Sequence, residues 1–165
     1  MATSAEAVAE LENLLGQMAA SKGNVSGRLI TAITKLCVNN VEFESVLIQK
    51  MYSHFKKLPS SHKLGALYAI DSVARRWHDL AKTNHQSLDG AASDGTPADA
   101  VNKVTELLPG LMDTMVEITP SERKEKLEKL VDIWQRVGLL PPSVISDLYQ
   151  KIKEAKPGGV DNPCR

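Results

Sequence analysis

The stretch that decides the fold is His62-Lys63-Leu64-Gly65-Ala66-Leu67-Tyr68-Ala69-Ile70-Asp71-Ser72-Val73-Ala74-Arg75. Within it Leu67, Ile70 and Ala74, followed by Trp77, recur every three or four residues, the period of a helix face turned to a core. Val73 widens that face. A second stripe, Leu64, Tyr68, Asp71 and Arg75, has the same spacing and shares one side of the helix. A wholly solvated face has no need of Leu and Tyr, and a wholly buried one tolerates Asp and Arg only when they are paired. Two readings fit: the wall of a ligand groove, or a buried Asp holding the end of a neighbouring helix.

The helical period continues on both sides. Upstream, Thr3 and Glu6 form a capping-box pattern ahead of Val8, Leu11, Leu15 and Met18. Ser21 to Val25 breaks that helix. Ser26 caps a second, carrying Leu29, Ile30, Ile33, Leu36 and Cys37 and closed by Asn39-Asn40. A third carries Phe43, Val46, Leu47, Met51 and Phe55, and Leu58-Pro59-Ser60-Ser61 turns the chain into the deciding helix, expected from His62 to about Lys82. Downstream, a polar connection is expected over 84–100, flexible and with its small residues concentrated at 88–100. Thr96-Pro97, with Asp99 three residues after the Thr, restarts a helix. Pro109 predicts a kink or a division in that helix, because it lacks an amide and crowds the preceding turn. Thr119-Pro120-Ser121-Glu122 reads as a helix start with Pro in first position, and Gly138 as the stop. The last helix starts near Pro142 and yields at Pro157-Gly158-Gly159 to a tail, 157–165, expected to be disordered. No alternating strand pattern occurs, so the fold class is all-α, with seven or eight helices in one domain over 1–156.

Composition narrows the function. The chain has 165 residues, 42% of them hydrophobic, with 20 basic and 20 acidic side chains. That supports one domain with a core and provides no net positive charge to hold nucleic acid non-specifically. No apolar run has the length to cross a bilayer, and no secretory leader pattern opens the chain. Cys37 falls in an apolar helical pattern and Cys164 next to the end, which predicts a buried thiol and a tail thiol rather than a disulfide framework. No phosphate loop, dinucleotide fingerprint or paired metal-ligand spacing occurs, so no cofactor and no metal are expected. His54, His62, His78 and His85 are scattered among polar neighbours, which predicts surface or capping roles. Binding, not catalysis, is the stronger expectation. One local feature suits an anion: Lys22, Ser26, Gly27 and Arg28 surround a helix N-terminus with unpaired amides.

The deciding helix resembles the signature helix of the domains that interact with the C-terminal repeat tail of RNA polymerase II. Two further stretches agree, Val104-Thr105-Glu106-Leu107-Leu108-Pro109 and Lys126-Leu127-Glu128-Lys129-Leu130-Val131-Asp132-Ile133-Trp134-Gln135. The resemblance covers nearly all of 5–155. It implies a right-handed superhelix of about eight helices, similar to VHS and ENTH domains. It implies a nuclear protein that binds the repeat Tyr-Ser-Pro-Thr-Ser-Pro-Ser carrying phosphoserine, along the second, fourth and seventh helices. On this chain Tyr68, Asp71, Ser72, Arg75, Lys129, Leu130 and Ile133 would then line the peptide groove. Asp71 would accept hydrogen bonds from the peptide turn, with Tyr68, Leu130 and Ile133 around the peptide's tyrosine.

The loop Lys22-Gly23-Asn24-Val25-Ser26-Gly27-Arg28 resembles that of a fungal termination-factor subgroup which acts on non-coding transcripts. There the resemblance implies contact with phosphate at heptad position five, through Lys22, Ser26, Gly27 and Arg28. Subgroups that read position two use an arginine on the seventh helix; this chain has Lys129 near that place, a point charge without the rigid fork. Arg75 and Arg136 are the alternatives there. RNA binding is expected only from a separate domain of a longer parent, and the fragment is expected to act as a monomer. The competing reading is a trafficking adaptor of the VHS or ENTH type, binding sorting peptides or phosphoinositides. The neutral charge and the lack of a basic leading helix speak against docking on a membrane.

Overall fold

The first two helices begin where a side chain accepts from an amide that has no partner in the first turn. In α1, Ser4–Ala20, the Thr3 hydroxyl accepts from the Glu6 amide at 3.1 Å while the Glu6 carboxylate accepts from the Thr3 amide at 2.8 Å. The expected capping box is therefore present. In α2, Gly27–Asn39, Ser26 accepts from the Leu29 amide at 3.2 Å; such a cap contributes about 1 kcal/mol. A 3-10 turn over Val41–Phe43 leads into α3, Glu44–Lys57, and α4 spans Ser60–Thr83. α5 covers Pro97–Ile118; a second 3-10 turn, Ser121–Arg123, precedes α6, Lys124–Val137, and α7 is Pro142–Glu154. The structure is a computed structural model, and it describes residues 3–21, 26–88 and 92–154. Among these residues there are seven α-helices and no strand.

The chain divides into two compact units, Met1–Val104 and Thr105–Arg165. In the first, α2 packs on α4, α1 on α2 and α3, and α3 on α4. Ala7, Leu11, Leu15 and Met18 of α1, Ile33, Leu36 and Cys37 of α2 and Leu47, Met51 and Phe55 of α3 are buried. They surround the expected stripe of α4, where Leu67, Val73, Ala74 and Trp77 are fully covered. Truncating Trp77 to Ala would cost about 3–5 kcal/mol, because the cavity left behind does not close fully. Burial also pushes the Cys37 thiol up to about 12. In the second unit, α6 packs on α7 through Leu127, Val131, Trp134, Ile145, Leu148 and Ile152, all buried.

Two polar devices in the first unit secure helix ends. Lys63 donates to the carbonyl oxygens of Phe55 at 2.6 Å and Lys56 at 3.1 Å, closing the last turn of α3. Glu44, at the start of α3, is 1% exposed. Its Oε2 accepts from the Gly95 amide at 3.1 Å and from Lys103 Nζ at 3.0 Å, and Lys103 also meets Asp99 at 2.9 Å. Gly95 has φ +79°, and a Cβ there would lie 3.3 Å from the Glu42 carbonyl oxygen, so both backbone conformation and space demand glycine.

The helix boundaries correct several expectations. α4 begins at Ser60 rather than His62, one half-turn inside the expected turn. Pro109 does not divide α5, which runs through it. The apolar face stays in register on both sides, with Leu108, Leu111, Met112 and Met115 buried, and that burial offsets the missing amide. α6 does not begin at Pro120. Pro120 is extended, at ψ 152°, and the chain makes a 3-10 turn before the helix opens at Lys124. Gly138 does stop α6, in the left-handed conformation at φ 79°. Its amide and that of Leu139 both close on the Trp134 carbonyl, at 3.0 and 2.9 Å. His78 is buried, not superficial, because positions 70, 74, 77, 78 and 81 form one continuous core face of α4. His85 is exposed, within the surface-or-capping expectation, and holds φ 56° just past α4, where Gln86 closes back on Ala81 at 2.9 Å. The expected tail and Cys164 lie outside the described residues.

Candidate functional site

The second stripe of α4 is a half-covered wall. Asp71 is 3% exposed, and Tyr68, Ser72 and Arg75 are half-buried. Asp71 Oδ1 accepts from Arg75 Nε at 3.0 Å and Oδ2 from Arg75 Nη2 at 2.9 Å, a two-point pair one helical turn apart. This is the pairing that the sequence requires of a buried Asp. Asp71 holds the Arg75 guanidinium further toward its charged form. Arg75 is thus engaged with Asp71, which weakens it as a stand-in for a phosphate-reading arginine. Burial, and secondarily the Asp71 charge, push the Tyr68 phenol upward, so it stays a neutral donor at neutral pH.

Ser72 straps α4 to α2. Thr34 donates its proton to the Ile30 carbonyl at 2.8 Å, which makes Ser72 the donor in the 2.7 Å hydroxyl pair with Thr34. Beside that strap lies an open cavity of about 320 Å³. Its walls include Thr31, Thr34, Lys35 and Asn39 from α2, and Ser72 and Arg76 from α4; no carboxylate lines it.

At the head of α2, Ser26, Gly27 and Arg28 are exposed. Ser26 caps the helix, so its oxygen is occupied by the Leu29 amide and its hydroxyl proton is the group it can offer an anion. The Gly27 and Arg28 amides have no acceptor inside the helix. A Cβ on Gly27 would meet nothing within 4 Å, so glycine leaves room there that the fold itself does not need. Lys22 and the rest of 22–25 lie outside the described residues. The residue before that segment is anchored: His62 Nε2 donates to the Ser21 carbonyl at 2.7 Å, and Ser61 lies 2.9 Å from Nδ1. The sequence expectation for His62 is a surface or capping role; its partner is 41 residues away in sequence.

The remaining expected positions belong to the second unit. Lys129 is exposed on α6, Ile133 is half-buried and Leu130 is 3% exposed. Ile133 is therefore the apolar member with open surface. Arg136 is also exposed. Near them the Tyr149 hydroxyl donates to Asp132 and, at 3.2 Å, to Gln135. The bond to Asp132 pushes the Tyr149 phenol up to about 12. Among the described residues no group of three side chains is placed to hold a metal ion.

A model of the CID domain matches residues 9–148. The chain belongs to the CID family. Its sequence is 32% identical over 148 residues to the Rpb7-binding protein seb1 of Schizosaccharomyces pombe, covering 90% of this chain and 24% of that protein. The CID thus spans about a quarter of the length of that relative. Its backbone is similar to the CTD-interacting domain of Seb1 from S. pombe, with a TM-score of 0.86 and 31% identity, covering 93% of this chain and 99% of that one. It is also similar to the yeast Nrd1 CID in complex with Sen1 NIM1, with a TM-score of 0.79 and 29% identity, covering 88% and 99%. The all-α expectation therefore holds, and these relatives are the fungal proteins Seb1 and Nrd1.

Proposed function

We propose that this CID binds the phosphorylated heptad tail of RNA polymerase II, in the nucleus, and favours phosphate at position five. Its role is to bring a termination or RNA-processing factor to the polymerase. RNA contact belongs to another domain of a longer parent, and the CID acts as a monomer. The observation that carries this reading is the exposed head of α2. There Arg28, the Ser26 hydroxyl and two helix amides without internal acceptors lie within three successive residues, on a chain whose family includes the RNA polymerase II CTD-interacting domain of Nrd1. Helix-end amides with a guanidinium suit a phosphoryl group.

Asp71 and its Arg75 partner would read the peptide turn in phosphorylated and plain tails alike. The ligand is disordered when free, so ordering it offsets part of the contact energy and single-repeat affinity is modest. Repetition of the heptad raises the local concentration and makes weak sites sufficient. Lys129, Leu130 and Ile133 enter this reading through the family resemblance alone. Nothing favours the sorting-adaptor alternative.

The test is fluorescence anisotropy with two-heptad peptides: unmodified, phosphorylated at position two, and phosphorylated at position five. The expected order places position five tightest, with that preference removed by Arg28→Ala. No binding of any tail peptide by the folded domain would overturn the reading.

A further inference from the structure

The cavity between α2 and α4 has a composition that the position-five reading does not use. Arg28, Thr31 and Lys35 fall at i, i+3 and i+7, on one stripe of α2. Tyr68, Ser72 and Arg76 fall at i, i+4 and i+8, on one stripe of α4. The Thr34–Ser72 hydroxyl pair joins the two helices at 2.7 Å. The cavity therefore puts Lys35 on the α2 wall and Arg76 on the α4 wall, and its other lining residues are threonine, serine, asparagine and Val38, with no carboxylate. Lys35 and Arg76 are both exposed, and no ion pair involving either occurs among the described residues. A surface that only needed solubility has no reason to place two cations on one recess that also holds three hydroxyl side chains and no carboxylate.

We infer that this cavity is a second anion subsite, in which Lys35 and Arg76 hold a phosphoryl group on the same peptide whose first phosphate lies at Arg28. This rests on the tail-peptide reading above and deepens it. The spacing fits. Lys35 lies two turns, roughly 10 Å, beyond Arg28 along α2. An extended peptide covers that distance in about three residues, the separation of positions two and five within one repeat. Position five and the following position two are four residues apart, and they also fit if the chain is partly turned. The subsite makes the domain a reader of doubly phosphorylated tails, without requiring an arginine at Lys129.

The experiment compares three peptides by anisotropy: one phosphorylated at position five only, one at positions two and five of the same repeat, and one at position five and the following position two. A second phosphate in one of the two doubly phosphorylated peptides should tighten binding about 5- to 20-fold, the range for an exposed charge-assisted contact. The Lys35→Ala/Arg76→Ala double variant should lose that gain and bind the singly phosphorylated peptide as the parent does. Both side chains are exposed, and circular dichroism checks that the variant is folded. Amide chemical shifts at Thr31, Thr34, Asn39 and Ser72 should move further with the tighter doubly phosphorylated peptide than with the single one. A gain that survives the double variant, or no gain from either doubly phosphorylated peptide, overturns the second subsite and leaves the first reading standing. Failure of every peptide to bind overturns both.

Discussion

Asp71 and Glu44 are both carboxylates sealed in the first unit, at 3% and 1% exposure, yet they are held in opposite ways. Asp71 is gripped by Arg75 from the next turn of its own helix. Glu44 is gripped by Gly95 and Lys103, residues 51 and 59 positions away in sequence. A local pair forms with its own helix, and on the proposed reading that side of the helix meets the peptide. A long-range pair forms only when distant segments meet, and its contribution is to hold them together. Equal burial therefore does not mean equal purpose: on the proposed reading Asp71 serves recognition, whereas Glu44 ties distant segments together.

The contrast can be broken most forcefully at Lys103. Lys103→Met leaves Glu44 and Asp99 side by side without their cation, and should cost about 2–3 kcal/mol in urea unfolding, after allowance for the partial exposure of Lys103. Peptide affinity of the folded variant should stay within about twofold of the parent; a parallel loss of affinity would merge the two regions into one. Hydrogen bonding to Asp99 pushes the Lys103 ammonium up to about 12 from 10.5. Its folded pKa is raised, so its stabilisation is complete below pH 10.5 and disappears as the pH climbs through about 12. The stability gap between parent and Lys103→Met should narrow over that window, and a gap that widens there would be the wrong sign.

Asp71→Asn is the next largest change. It should weaken plain and phosphorylated peptides alike, about 10- to 100-fold by titration calorimetry, because a buried acceptor is replaced. Unfolding stability should fall by only about 1 kcal/mol, since Arg75 can turn toward water. A large stability loss with unchanged affinity would assign Asp71 the same job as Glu44. Arg28→Ala should cost about 5- to 10-fold, for phosphopeptides only, and should flatten the dependence of affinity on salt. The smallest effect is at Gly27. Because a Cβ there meets nothing in the protein, Gly27→Ala should leave stability unchanged or slightly higher. A two- to threefold loss of phosphopeptide affinity, by an order-of-magnitude allowance for a lost close approach, would show that the ligand backbone occupies that room. Equal affinity would show that it does not.

The features legible in the sequence are those whose physics is local. Thr3 with Glu6, Ser26, Thr96 with Asp99 and Gly138 each act within a few residues, and each is found where expected. The apolar period of α4 is likewise a property of one helix, and Asp71 with Arg75 is readable as a required pair. Long-range partners were not readable: nothing in the spacing of Glu44, Gly95 and Lys103, or of His62 and Ser21, marks them as neighbours. His78 was misjudged from its polar sequence neighbours, although its register places it on the core face. Pro109 shows tertiary burial overriding a local breaker. Lys35 and Arg76 were within reach of the period, but their meaning depends on two helices lying side by side, which one helix cannot announce.

The Asp71–Arg75 pair has a kinetic consequence. Because both partners sit on one helix, the pair that would read the peptide turn is set before a peptide arrives. Association should then be set by diffusion and by the attraction of Arg28, Lys35 and Arg76 for phosphate, and differences among tail peptides of equal charge should appear as differences in residence time. A domain built this way samples one repeat after another as fast as each lets go.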